Sequence, residues 1–339
     1  MVIQSTIKLG VLWNQLLLIT QVMTLSKYDK VYLGNRAKDL GFNRDTLEKV
    51  TRLYDILRFI NTMPLLKNSL AIKGGTAINF TMLELPRLSV DIDLDFMNPC
   101  SKEQMLEQRA LINDAIYKYM ISEGYELSPK SKSPHSLDSF IYRYIGVSGN
   151  YDNIKIEINY SLRAHIDQSE RVDAIHPYFS NDFQIHRLSI IEIFASKMNA
   201  LLNRAATRDL YDVYNMIKYH LIKEEHKVHL RKSVILYFVI TSKNIDKGFS
   251  FQMLDRINKR MIKRDLMPVL SNNDQFNLKE AKEVIKKYLS GLLNLADDEK
   301  KFVDAFIQNQ YEPKLLFSNH HILKRIQDHP MALWRTKQT

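Results

Sequence analysis

A single cysteine, Cys100, in 339 residues excludes an intrachain disulfide and any cysteine-rich zinc site. It fits a reducing compartment, and we expect the cytoplasm. No run is apolar enough to promise a membrane span. Residues 9–26 carry no charge, but Asn14, Gln15, Thr20 and Gln21 interrupt the apolar LGVLWNQLLLITQV. A signal peptide would want a stronger basic start and a small-residue cleavage site, and neither is clear in the sequence. A buried or capping helix is the expectation there, with Met23 an alternative start to Met1. The chain has no internal repeat and no low-complexity tract.

An excess of acidic over basic residues is found in neither half, and an excess of basic ones in one half only. The net charge is +10, and residues 197–339 hold 26 Lys/Arg against 16 Asp/Glu, whereas residues 1–196 hold 22 of each. A surplus confined to one half points to a polyanionic partner held by that half. Hydrophobic content of 45% and charged content of 25% are those of a globular protein.

The most informative stretch is KGGTAINFTMLELPRLSVDIDLDF, residues 73–96. Gly74 and Gly75 separate a short apolar run from a helical one and give backbone that a triphosphate can approach closely. Sixteen residues later comes Asp91-Ile92-Asp93-Leu94-Asp95. On a strand the three carboxylates share one face, while Ile92 and Leu94 point into a core. Three carboxylates on one face repel unless a cation lies among them. Mg²⁺ (or Mn²⁺) is the economical one, because it takes one or two carboxylates and completes its shell with substrate phosphates. Asp91 and Asp93 are the candidate ligands.

Periodicity predicts an α+β chain. Helices are expected over 45–62, 76–85, 101–123 (capped by Ser101), 189–203 and 207–219, and strands over 69–73, 90–96, 140–147 and 154–160. Gly149-Asn150 marks a hairpin between the last two strands. After His220 only helices are expected, near 225–241, 251–265, 278–295 and 298–309. This gives an N-terminal extension (1–44), a mixed α/β domain (45–188) and a helical C-terminal domain (189–339).

Three further groups carry chemistry. In IKIEINY, residues 154–160, Glu157 shares a face with Lys155 and Asn159. Beside the acidic strand it would complete a metal triad with Asp91 and Asp93; otherwise it is an exposed carboxylate. In IIEIFASKMNALLNRAATRDLYDVYNM, residues 190–216, Lys197 sits near a buried helical face, where one positive charge suits a triphosphate. Arg208 and Asp212 are four apart and can meet on the next helix, with Arg204 and Asp209 at the turn before it. In FQMLDRINKRMIKRDL, residues 251–266, Arg256, Lys259, Arg260, Lys263 and Arg264 fall on one side of a helix, with Met253, Leu254, Ile257 and Ile262 opposite. That side is either a track for a nucleic-acid backbone or a solvated face.

The run KGGTAINF…RLSVDIDLDF, then SKMNALLNRAATRDLYDVY, then EPKLLFSNHHILKRIQDHPMALW at 312–334, resembles the AbiEii/AbiGii (MenT-like) family of nucleotidyltransferase toxins. The first block alone would indicate only the polymerase-β-like superfamily. The resemblance spans residues from about 30 to the end. It implies a nucleotidyltransferase fold, a small mixed sheet with flanking helices followed by a helical domain. It also implies a triphosphate cradled by Gly74 and Gly75 with Thr76 beside them, metal on Asp91 and Asp93, and essential roles for Lys197 and Asp212. Arg208 joins them as a nucleotide-binding candidate, and Asp212 or Glu157 as a group that orients or deprotonates the acceptor. The implied activity is Mg-dependent transfer of a nucleotide from an NTP to RNA, the tRNA 3′ end first, in a type IV toxin–antitoxin system of the phage-defence kind, with a cognate antitoxin as partner. A small-molecule or protein hydroxyl as acceptor, and a non-catalytic NTP-binding growth inhibitor, stay open from sequence.

Overall fold

A computed structural model describes residues 28–83, 87–175, 183–242, 245 and 249–337. The expected helix at 9–26 and the choice between Met1 and Met23 fall outside the described residues.

Helix α1 (Lys30–Leu40) ends on Gly41, whose left-handed backbone (φ +72°) turns its N–H back onto the carbonyls of Ala37 and Lys38. Helix α2 (Arg44–Thr62) starts where the Asn43 side chain accepts from the N–H groups of Asp45 and Thr46. Its apolar stripe of Leu47, Val50, Leu53, Leu57 and Ile60 is buried, as the spacing predicts. A short helix α3 (Pro64–Ser69) leads into β1 (Leu70–Ile72), α4 (Gly74–Thr81), β2 (Asp91–Phe96) and α5 (Lys102–Ser122). Ser101 and Gln104 form a reciprocal capping box at the start of α5.

The remaining strands are β3 (Glu126–Leu127), β4 (Leu137–Ile145), β5 (Tyr151–Asn159), β6 (Glu170–Asp173) and β7 (Gln184–Arg187). They join in one mixed sheet of seven strands, ordered β3-β4-β5-β2-β1-β7-β6. Strand β2 lies antiparallel to β1 and parallel to β5, with Asp91 opposite Lys155 and Asp93 opposite Glu157. Ile92 and Leu94 are fully buried on the other face.

Three strands escaped the sequence reading. β3 is two residues long, β6 is the charged edge segment ERVD, and β7 is QIHR, so none shows an apolar alternation. The hairpin strands begin three residues earlier than expected. Val147 belongs to the turn, where its N–H donates to Glu48 and Gly149 takes φ +80°. Helix α4 begins at Gly74 rather than Thr76.

From α6 (Ile190–Asn203) onward the described elements are helical: α7 (Thr207–Lys218), α8 (Lys227–Thr241), α9 (Gln252–Arg256), α10 (Lys259–Met261), α11 (Leu278–Leu292), α12 (Asp297–Ile307), α13 (His320–Ile326) and α14 (Pro330–Thr336), with short 3₁₀ and π turns between them. The single helix expected over 251–265 is broken. Ile257 and Asn258 are extended, the Asn258 side chain caps a new start at Met261 N–H, and a π turn follows over Ile262–Leu266. The faces survive the break: Arg256, Lys259, Arg260, Lys263 and Arg264 are exposed, while Leu254, Ile257 and Ile262 are buried. One continuous hydrophobic core runs beneath the sheet and through these helices. No described helix is long and apolar enough to cross a membrane.

Candidate active site

The turn from β1 into α4 is pinned against β2. The Lys73 N–H donates to the Asp93 carbonyl at 2.9 Å, and the Lys73 ammonium lies 2.5 Å from the Asp95 carboxylate. Asp95 is therefore buried and paired, leaving Asp91 and Asp93 as the partly open carboxylates of the acidic strand. Gly74 has φ +66°, and a Cβ there would stand 2.6 Å from Asp93 Oδ2. A Cβ on Gly75 would collide with the Arg87 guanidinium. The two glycines thus admit a carboxylate and a guanidinium to the same turn. Thr76 is fully buried behind them. Its hydroxyl lies 2.9 Å from that of Ser89 and donates to the Asp91 carbonyl, so it braces the strand rather than facing the cleft.

Helices α6 and α7 supply the opposite wall. Lys197 Nζ lies 2.8 Å from Asp209 and 2.9 Å from Asp212. Asp212 also receives Arg87 through Nε and Nη2, each at 2.7 Å, and Arg204 reaches Asp209 at 2.7 Å. The expected Arg208–Asp212 pair does not form. Asp212 is taken by Arg87 and Lys197, and Arg208 Nε instead donates to the Asp265 carbonyl at 3.0 Å. The expected Arg204–Asp209 contact at the turn does form.

These groups enclose a cleft of about 380 Å³ lined by Gly75, Arg87, Ser89, Asp91, Asp93, Lys197, Arg204, Thr207, Arg208, Asp209 and Asp265. Asp212 sits behind the lining at 2% exposure, where it holds Arg87 and Lys197 in place. Glu157 stands beside Asp93 in the sheet, but its carboxylate lies 2.9 Å from Lys155 and does not line the cleft.

The electrostatics divide the cleft in two. Burial pushes the Asp93 carboxyl up, and Asp91 and Glu157 add to this against the opposing pull of Lys73 and Lys197. On the other wall, burial works against every charge but is outweighed. Arg87 and Lys197 hold Asp212 below the usual carboxylate range, Lys197 and Arg204 do the same for Asp209, and those two carboxylates hold Lys197 up. Arg208 differs: burial and the nearby charge of Arg87 pull it below its ordinary value. Among the described residues no carboxylate hydrogen-bonds its guanidinium. It is the wall cation least compensated by the protein, which suits it to an anionic ligand.

Among the described residues, no group of three or more His, Cys, Asp or Glu side chains is gathered to hold a metal ion. Asp91 and Asp93 alone are enough for Mg²⁺, which draws its remaining ligands from water and phosphate. Asp91 and Asp93 are two half-open carboxylates that share one strand face and line the cleft together, so the donor set fits a hard divalent cation.

Lys73 and Arg87 were given no role by the sequence reading. Lys73 directly precedes the glycine pair and Arg87 lies four residues before the acidic strand. Their positions inside that block are the only signal of a role, because their ionic partners are set by the fold.

A glycine turn opening a helix, an acidic strand beside it and a cationic wall facing both are the working parts of a nucleotidyltransferase. In fold the chain is similar to MenT4, the nucleotidyltransferase toxin Rv2826c from Mycobacterium tuberculosis H37Rv, with a TM-score of 0.60 over 89% of this chain and 98% of that one. At 15% identity the likeness is one of fold. The sequence model for the nucleotidyl transferase AbiEii toxins of type IV toxin–antitoxin systems matches residues 57–308, and the chain belongs to that family. No curated protein matches it in sequence.

Proposed function

We propose that the chain transfers a nucleotide from an NTP to an RNA hydroxyl, the tRNA 3′ end being the first acceptor to try, and so blocks translation and growth until its antitoxin intervenes. The observation that carries this reading is the apposition, in one cleft, of the Asp91–Asp93 carboxylates and the cations Lys197 and Arg208. The first pair suits a metal-bound triphosphate and the second its phosphate oxygens. A divalent cation, Mg²⁺ or Mn²⁺, held by Asp91 and Asp93 would neutralise part of the triphosphate charge when bound.

The acceptor oxygen forms a bond to the α-phosphorus as the bond from that phosphorus to the pyrophosphate oxygen breaks. The hydroxyl proton leaves to solvent or to a carboxylate of the cleft. Arg208 and Lys197 stabilise charge on the departing pyrophosphate, and Asp212 keeps Arg87 and Lys197 aligned. Catalysis is mostly positioning and charge neutralisation. Support for an RNA acceptor comes from the charge surplus of the C-terminal half and the exposed run of Arg256, Lys259, Arg260, Lys263 and Arg264, which meets the cleft at Asp265. Such a substrate places the enzyme in the cytoplasm.

The test is to incubate total tRNA with the protein, Mg²⁺ and each NTP in turn, then sequence the 3′ ends. Added nucleotides that are absent with Asp93→Asn support the reading. Unmodified tRNA, with pyrophosphate still released in the presence of a protein or small-molecule hydroxyl, would replace it.

A further inference from the structure

Remote from the catalytic cleft, a groove of about 1120 Å³ opens between α5, the 133–136 loop, the 161–163 loop and α14. No residue lines both the groove and the cleft. The groove lies near the end of β5, whereas the cleft is at the start of β2, and β2 and β5 run parallel. At about 3.3 Å per residue the six residues of β2 alone separate the two by roughly 20 Å.

Among the described residues no carboxylate lines this groove, while Lys102, Arg109 and Arg163 do. The helix makes the difference: α5 turns Lys102, Leu106, Arg109, Ala110 and Asn113 inward, at helical spacing, and keeps Glu103, Glu107 and Asp114 off that face. Arg109 is satisfied internally. It pairs with Asp138 and donates to the carbonyls of Pro134 and His135, which fixes the loop that forms one wall. Lys102 is exposed and makes no ion pair among the described residues. Arg163 donates one N–H to the Tyr160 carbonyl, which leaves the rest of its guanidinium available.

Arg163 also lines a second pocket, of about 590 Å³, together with Lys324, Arg325 and the buried His165. Its one carboxylate, Asp167, is occupied by His229 and Ser189. His165, only 5% exposed, has its Nδ1 3.6 Å from the Glu192 carboxylate, while its Nε2 has no hydrogen-bond partner among the described residues. The apolar part is equally unusual. Trp334 is 53% exposed and Leu106 45%, and both line the same groove. A cationic channel with an open indole on its wall matches a ligand that alternates negative charge with flat apolar rings.

We propose that this groove is a binding site for single-stranded RNA, in which Trp334 stacks on a base while Lys102, Arg163 and Lys324 hold the phosphates on either side. The proposal rests on the RNA reading of the catalytic site and gives the acceptor a second, distant foothold. Stacking platforms joined to basic tracks are how proteins hold single strands without reading sequence. The stripe from Arg256 to Arg264 has cations but no aromatic residue, so the two surfaces make different kinds of contact.

Trp13 and Trp334 are the only tryptophans in the chain, so Trp13→Phe leaves Trp334 as the sole indole reporter. A single-stranded RNA of about eight nucleotides, within the usual site size, is titrated into the full-length variant without NTP. A parallel titration follows polarisation of the same RNA carrying a dye. Saturable quenching of the indole, and affinity weakened at least about tenfold by Trp334→Ala or by Lys102→Gln with Arg163→Gln, support the site. RNA binding without quenching and without loss in these variants overturns it, as does no RNA binding at all. Equal quenching by an acidic peptide assigns the groove to a protein partner and also overturns it. Quenching that persists when no nucleotide is transferred to RNA leaves the groove standing and removes the catalytic reading instead. Transfer that proceeds with no quenching does the reverse.

Discussion

Arg87 grips Asp212 through two parallel hydrogen bonds of 2.7 Å, across 125 residues of chain and with both side chains buried. This pair joins the segment before the acidic strand to helix α7, and Lys197 shares the same carboxylate. Removing the carboxylate strands two buried cations. We expect Asp212→Ala to cost about 3–5 kcal/mol in urea unfolding, the usual consequence of breaking a buried ion pair. An unchanged midpoint would show that Asp212 is not the clasp described.

The glycine turn makes a sharper test, because its two positions are needed for different reasons. Gly74→Ala places a Cβ in the left-handed region, at about 1–2 kcal/mol, and against the Asp93 carboxylate. Gly75→Ala has ordinary backbone geometry but displaces Arg87. Both are expected to lower nucleotide transfer at least about tenfold, since misplacement on the ångström scale costs that much or more. Wild-type rates with Gly75→Ala would dissociate Arg87 from the site.

Asp93 is predicted to trade stability for function. Its carboxyl is raised in the folded chain, chiefly by burial, so the folded state binds a proton more tightly than the unfolded one. Its contribution to stability therefore falls as pH rises through the interval between the two values, and above the unfolded value the group is net destabilising. Asp93→Asn should raise the unfolding midpoint at pH 7 while abolishing transfer. A lowered midpoint contradicts the assignment of an uncompensated carboxylate.

His329, the histidine of the His-Pro tail, is fully buried at the start of α14, and burial pushes its pKa down to about 3. Here the unfolded chain binds the extra proton between pH 6.5 and 3, so stability is complete above 6.5 and declines as the pH falls through that window. The slope approaches about 1.4 kcal/mol per pH unit well below 6.5. Stability measured between pH 7 and 5 should fall more steeply for the wild type than for His329→Gln. Equal slopes would mean the histidine is solvated.

Neutralising Arg260, Lys263 and Arg264 together should weaken RNA binding and flatten its dependence on log salt by up to about three units. Pyrophosphate release with a minimal acceptor should stay near the wild-type rate. Unchanged RNA affinity would remove the stripe from the substrate path.

The candidate site was legible where its chemistry lies on consecutive residues. Gly74-Gly75 and Asp91-x-Asp93 declare themselves through turn geometry and strand alternation, and Asp93 does stand next to Glu157 in the sheet. Reasoning by helical spacing paired Arg208 with Asp212, but tertiary structure gives Asp212 to Arg87, a partner that spacing cannot reveal. Lys73 was missed for the same reason, since its carboxylate comes from the neighbouring strand. The helix expected over 251–265 failed locally. Its apolar period was sound, but Asn258 prefers to cap a new start, so the run folds as two short helices and a π turn. Strands β6 and β7 gave no signal because each is four residues long and one is an edge of alternating charge.

The most direct test of the central claim uses one NTP labelled in turn at the α- and γ-phosphate, with Mg²⁺ and total tRNA, for the wild type, Asp93→Asn and Arg208→Gln. Nucleotidyl transfer predicts α-label in RNA, γ-label only in pyrophosphate, and loss of both products in Asp93→Asn, with a reduced rate in Arg208→Gln. γ-Label in the RNA, or α-label that survives Asp93→Asn, would contradict the account.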